Sequence, residues 1–338
     1  MTTPDALAVV DGRRSSGVYS FGASSRAKRA MARADVVLAV SALGEFACRL
    51  GEAFAERTLI QVTEQVTHVG RKREPDVPLV GPVDAVLSGL REALAGTRRT
   101  PRRPWFRDVF PPPRRAPARA GVIHPEAAIR SIQAALPDEV RVCLDVTSGA
   151  LHAYEHLRLK RVQRVFSSIE NSACMGEALL ASIGVRLASG LPTLVLVGDW
   201  GHCMAPAEIH TAVELALDRY VVVVWANGGG AFVEAGVRQQ GIAVPEQAFR
   251  WRVPPDFARM ARAYGAGGVV VSDAATLERE VFRALRGTEP TLIEARIDPD
   301  VPIPAGDRFL TLGEGPVAHL DMEAVASAFL SSEPANDP

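Results

Sequence analysis

Two residues of this 338-residue chain have the types and spacing of hard-metal ligands: Asp199, which follows the apolar run TLVLVG, and Asn227, which follows YVVVVWA. Asn227 is succeeded by three glycines, and one helix-length stretch separates the two residues. One carboxylate, one amide oxygen and the open carbonyls of a glycine run are hard oxygen donors, a set that suits Mg²⁺ when a phosphate fills the remaining positions. A single carboxylate is too little charge for a free-standing metal site. The pattern therefore points to a diphosphate-bearing cofactor rather than a bare ion.

Bringing these residues together is the work of the surrounding elements. In the second half, IHPEAAIRSIQAAL reads as an amphipathic helix and VRVCLDV as a buried strand. SACMGEALLASIGVRLASG reads as a helix rich in small residues and APAEIHTAVELAL as another, with TLVLVGD and YVVVVWANGGG as strands that end in loops. GGVVVSD, TLEREVFRALRG and PTLIEARID complete the series. Five apolar strands with intervening helices predict a doubly wound parallel sheet, which binds ligands at the carboxyl ends of its strands. The ends that matter are Gly198–Asp199 and Asn227–Gly230.

The first half alternates in the same way. SSRAKRAMARA favours a helix, ADVVLAVS and TLIQVT are apolar strand runs, and Val83, Val86, Leu87, Leu90 and Leu94 share one helical face. This again predicts an open α/β sheet. Between the halves, residues 97–120 are rich in arginine and proline and have no apolar period. They read as an interdomain linker; arginines interleaved with Trp105, Phe106 and Phe110 leave a nucleic-acid arm as the sharper alternative. The expected organisation is 1–96, linker 97–120, a main domain 121–330 and a flexible tail 331–338.

Composition narrows the function classes. With 47% hydrophobic and 23% charged residues and a net charge of −1, the chain is neither disordered nor a strongly basic nucleic-acid binder. No apolar run approaches the roughly 20 residues that cross a bilayer, and the N-terminus has no signal-like apolar core, so a cytoplasmic protein without membrane or nucleic-acid partners is expected. Cys48, Cys143, Cys174 and Cys203 form no C-x-x-C pair, which fits a reduced compartment. Lys28, Lys72 and Lys160 are the only lysines and none follows a G-x-x-x-x-G loop, which excludes Walker-type phosphate binding. Gly267–Gly268 makes no G-x-G-x-x-G, which weighs against a nicotinamide dehydrogenase.

At Gly198-Asp199-Trp200 and Ala226-Asn227 the chain resembles the diphosphate-binding half of thiamine diphosphate enzymes of the acetolactate synthase and 2-oxo-acid decarboxylase family, whose pattern is G-D-G followed by N-N. MAPAEIHTAV, SACMGEALLASIG, DFARMARAYGA and PTLIEARID extend the likeness, and ADVVLAVSALGEF with TLIQVTEQVTHVGRKREPDVPLVGPVDAVL is similar to the family's middle, nucleotide-fold domain. The resemblance implies a truncated Rossmann-like middle domain followed by a doubly wound thiamine diphosphate-binding domain. It implies Mg²⁺ on Asp199, Asn227 and the Gly229 carbonyl, with Met175 bending the cofactor and the Ala173 carbonyl accepting from its aminopyrimidine. Thr147 and Ser148 match the diphosphate loop, and Gly198, Trp200, Gly201, Ala231 and Phe232 complete the implied cofactor contacts. The implied activity is decarboxylation of a 2-oxo acid, carbon–carbon bond formation, or both.

Departures from the family pattern carry information too. Trp200 replaces the last glycine of G-D-G and Ala226 the first asparagine, so the loop near the metal is bulkier. AFVEAGVRQQG lacks the Arg and Trp of the acetolactate synthase substrate segment, leaving Phe232 and Glu234 expected to face the pocket. The likeness begins partway through the middle domain, from which a separate pyrimidine-binding subunit supplying the activating glutamate is expected, in an assembly of two copies of each chain; FAD is not expected. A non-catalytic scaffold subunit that kept the fold is the alternative. His202, three residues after Asp199, is a candidate catalytic side chain or plain packing. His152, Glu155 and His156 spell H-x-x-E-H, a zinc-protease-like motif of low specificity, and Glu208 is as well read as a helix-capping carboxylate.

Overall fold

The computed structural model describes residues 2, 6, 15–19, 24–41, 56–70, 73–97, 119–160, 163–169, 173–239 and 241–304. Most of the proposed linker, including Trp105, Phe106 and Phe110, lies outside the described residues, as do the tail and Cys48. The chain forms two parallel sheets. In the first, β1 (Val36–Val40), β2 (Thr58–Thr63) and β3 (Val77–Val80) stand in that order, with α1 (Ser25–Ala32) before β1 and α2 (Val83–Ala93) after β3. Ser24 caps α1 by accepting from the Ala27 N–H. Tyr19, Ala27, Met31, Ala39 and Leu59 make the small core there.

The second sheet has six strands in the order β5-β4-β6-β7-β9-β8, all parallel. They are β4 (Arg141–Leu144), β5 (Arg164–Ser167), β6 (Thr193–Gly198), β7 (Tyr220–Ala226), β8 (Gly267–Val271) and β9 (Thr291–Arg296). The helices are α3 (Pro125–Ala135), α4 (Ser148–His156), α5 (Glu177–Ser189), α6 (Asp199–Met204), α7 (Glu208–Glu214), α8 (Ala231–Gln239), α9 (Phe257–Ala263) and α10 (Ala274–Ala284). Alternation along β7 shows why the sheet is doubly wound. Val221, Val223 and Trp225 pack into one core with α3, α4 and α10, while Tyr220, Val222 and Val224 pack into the other with α5, α7 and α9. Among the described residues no helix is long and apolar enough to cross a membrane.

Four elements differ from the expectation. β3 and β5 are additional strands, each of four residues at a sheet edge, and β3 contains Pro78, which an edge strand tolerates. The segment after β6 winds into the short helix α6 rather than a loop. The helix expected from Ser172 starts only at Glu177, because Ala173 (φ 51°) and Gly176 (φ 86°) hold a left-handed turn before it.

Candidate functional site

The chain leaves β4 for the edge strand β5 and returns to the other side of β4 as β6, so the winding direction reverses at the carboxyl ends of β4 and β6. A cavity of about 390 Å³ opens there. Gly198 of β6 pairs with Trp225 of β7, which sets Asp199 and Asn227 just beyond the ends of adjacent strands. The walls come from the segments after four strands. They hold Thr147 and Ser148 after β4, Ala173 and Met175 after β5, Gly198, Asp199, Trp200 and Gly201 at the end of β6, and Asn227, Gly229, Ala231 and Phe232 after β7. Twelve of the residues singled out in the sequence thus surround one space.

His202 is the exception. It lies outside the cavity, 1% exposed, edge-on to Phe257, and neither ring nitrogen has a hydrogen-bond partner. Burial pushes its pKa down to about 4, so it is neutral at physiological pH. Glu234 also departs from expectation, facing a smaller second cavity of about 160 Å³ behind Asn227 and Ser148.

Close backbone approach explains the glycines. A β-carbon on Gly198 would stand 2.8 Å from the Thr147 hydroxyl, and one on Gly201 would strike the carboxylate of Asp145. That carboxylate is a site residue the sequence reading missed. Asp145 is fully buried; its Oδ2 accepts from the Gly176 N–H at 2.9 Å and its Oδ1 from the Ala178 N–H at 3.1 Å. It thereby clamps the left-handed turn that carries Ala173 and Met175 to the end of β4. Burial raises its pKa, opposed by these N–H groups. The signal was present only as an acid at the end of an apolar strand.

Asp199 is 2% exposed and accepts the Gly228 N–H on Oδ2 at 3.0 Å. Burial pushes its pKa up to about 6 against the opposing pull of the Asp199, Gly229, Gly228 and Trp200 N–H groups. No basic side chain lines the cavity among the described residues. Asn227 donates its Nδ2 to the Ser148 Oγ at 3.1 Å, which leaves the amide oxygen for a ligand. A desolvated carboxylate without a cationic partner, an oriented amide oxygen and the Gly229 carbonyl fit a small hard cation. No group of three His, Cys, Asp or Glu side chains able to hold a metal exists among the described residues, so phosphate oxygens would have to complete the shell.

The Trp200 indole, which also lines the cavity, rests on Gly230 and is flanked by Phe249 and Trp251, with ring centroids 6.4 and 6.3 Å away. The residues of the H-x-x-E-H segment pack against neighbouring elements. His152 is buried between Trp225 and His156 at 5.9 and 6.2 Å, and the Glu155 Oε2 accepts the Ser25 N–H at 2.6 Å. Cys174 is exposed and Cys203 half-buried.

Residues 145–295 match the family described as thiamine pyrophosphate enzyme, C-terminal TPP binding domain. An acetolactate synthase large subunit of Parasynechococcus marenigrum is 26% identical over 87% of this chain and 47% of its own length. A protein of Pseudomonas aeruginosa described as a probable 2-ketoarginine decarboxylase is 32% identical over 51% of the chain and 30% of its own length. A sulfoacetaldehyde acetyltransferase of Castellaniella defragrans is 26% identical over 51% and 29%. The chain thus spans half or less of each of these relatives.

Proposed function

Since this chain carries the C-terminal, TPP-binding part of a thiamine pyrophosphate-dependent enzyme, we propose that it serves catalysis on a 2-oxo acid by decarboxylation, carboligation or both. The observation that carries this reading is the cavity at the reversal point, where Asp199, Asn227 and Gly229 present hard oxygens beside the Thr147–Ser148 turn. Asp199, Asn227 and the Gly229 carbonyl would hold Mg²⁺ and through it the diphosphate. When bound, thiamine diphosphate supplies the electron sink for breaking the bond between the carboxylate and the 2-oxo carbon.

The chain's own residues bind and orient. Ser148 fixes the Asn227 amide, Asp145 sets the turn that presents Met175 and the Ala173 carbonyl, and Phe232, Val233 and Val237 give the far wall an apolar lining. Asp199 is the only ionisable side chain lining the cavity among the described residues. We assign the activating carboxylate to a pyrimidine-binding domain on a partner subunit, in a cytoplasmic assembly of two copies of each chain. The aliphatic side chains of Leu180, Leu187 and Met204, all more than half exposed, are consistent with a partner surface.

Calorimetric titration of thiamine diphosphate with Mg²⁺, on the chain alone and with a pyrimidine-domain partner, tests the reading. Binding that is lost in Asp199→Ala, followed by CO₂ release from a panel of 2-oxo acids, supports it. Absence of binding under both conditions leaves the scaffold alternative.

A further inference from the structure

The turn from Asn227 to Gly230 is held by a segment that neither motif spacing nor family likeness points to. Residues 249–251, following the 3₁₀ turn Glu246–Phe249, run across it as a strap. The Gly230 N–H donates to the Phe249 carbonyl at 2.7 Å, the Trp251 N–H donates to the Gly228 carbonyl at 3.0 Å, and Gly229 pairs with Arg250 in an antiparallel bridge. A β-carbon on Gly229, at φ 144°, would strike the Phe249 carbonyl, so the approach is open only to glycine. At the centre, Arg250 Nη1 donates to the Asn227 carbonyl at 3.1 Å while its Nη2 lies 2.8 Å from Glu234 Oε2. Glu234, whose side chain is 8% exposed, also pairs through Oε1 with Arg238 at 2.9 Å.

We propose that Arg250 is a positioning residue: one guanidinium ties the main chain of Asn227 to a buried carboxylate on α8, fixing the direction of the Asn227 amide oxygen and of the Gly229 carbonyl. The planar fork of arginine suits this bridging, since it meets a carbonyl and a carboxylate at once. The inference rests on the reading that these oxygens hold a diphosphate-bound cation. Groups that orient metal ligands from behind commonly change metal affinity by about 10–100-fold when removed.

The test compares the full chain, with its pyrimidine-domain partner where cofactor binding needs one, against Arg250→Met and Arg250→Lys. The first readout is the Mg²⁺ concentration at half-saturation of thiamine diphosphate binding, followed by tryptophan fluorescence with Trp200 and Trp251 as reporters. We expect a rise of about 10–100-fold for Arg250→Met and a smaller one for Arg250→Lys, and a further rise smaller than that seen in the parent when Arg250→Met is added to Asn227→Ala, because only the Gly229 carbonyl is then left to misdirect. The second readout needs no cofactor. Amide hydrogen exchange at Gly228, Gly230 and Trp251 should accelerate in Arg250→Met while β6 and β7 stay protected. Unchanged exchange at these amides, or a lowered melting temperature with unchanged Mg²⁺ half-saturation, overturns the assignment. If the parent protein binds no thiamine diphosphate, the proposed function falls, and the exchange pattern alone decides the role of Arg250.

Discussion

Trp200 and Gly230 share one packing site: a β-carbon on Gly230 would stand 2.6 Å from the indole of Trp200. The bulky residue after Asp199 and the missing side chain after Gly229 are therefore two halves of one arrangement. Gly230→Ala should cost about 1–3 kcal/mol through overpacking. Trp200→Gly opens space at the same point, so the double variant should lose clearly less than the sum of the single losses. Urea unfolding of the four proteins measures this, and additive losses would show that the residues do not share the site.

Asp145 gives the second prediction. Its two carboxylate oxygens take N–H groups from Gly176 and Ala178 in a fully buried setting, so Asp145→Ala orphans both donors. The expected loss is roughly 2–4 kcal/mol. Cofactor affinity should fall as well, because the turn bearing Met175 is released. A variant with wild-type unfolding and wild-type affinity would refute the clamp.

His202 predicts acid lability. Its native pKa is about 4, against 6.5 for an unburied histidine. The neutral form is the native one, so its contribution is complete above 6.5 and is lost as pH falls toward 4, where the unfolded chain takes up a proton that the native chain refuses. The gap corresponds to at most about 3 kcal/mol. His202→Leu should therefore hold its stability better across that window and, with two unpartnered buried nitrogens removed, melt no lower at neutral pH. A parallel pH profile for the two proteins would contradict this.

Glu155 provides the fourth. Its carboxylate accepts the Ser25 N–H and its carbonyl accepts from Arg26 Nη2 at 3.1 Å, which fastens α1 to α4. Glu155→Ala should raise proteolytic cleavage within residues 15–41 and leave the second sheet intact. Zinc should shift the melting temperature of neither protein; a zinc-dependent rise lost in His152→Ala would revive the metal reading of H-x-x-E-H.

Legibility followed the length and chemistry of each signal. β6 and β7 are long β-branched runs, so their ends, and with them Asp199 and Asn227, were readable at once. β3 and β5 are four residues long, and an edge position relaxes the apolar demand on them, which hid them among their flanks. Asp145 escaped because its partners are backbone N–H groups more than 30 residues on, which leave no side-chain pattern. For His202 the packing alternative is the one the structure matches, since the segment after β6 is helical and its ring lies against Phe257. Glu234 and Arg238 stand four apart on α8, a spacing from which their ion pair is legible in the sequence.

The two faces of α8 divide its duties. Phe232, Val233, Gly236 and Val237 border the larger cavity, while Glu234 and Arg238 border the smaller one and hold Arg250. Mutational drift can therefore rewrite the apolar wall, one side chain at a time, without disturbing the ion pairs that fasten the Asn227 turn. A lineage built on this helix is free to change what it accepts while inheriting unaltered the way it holds on.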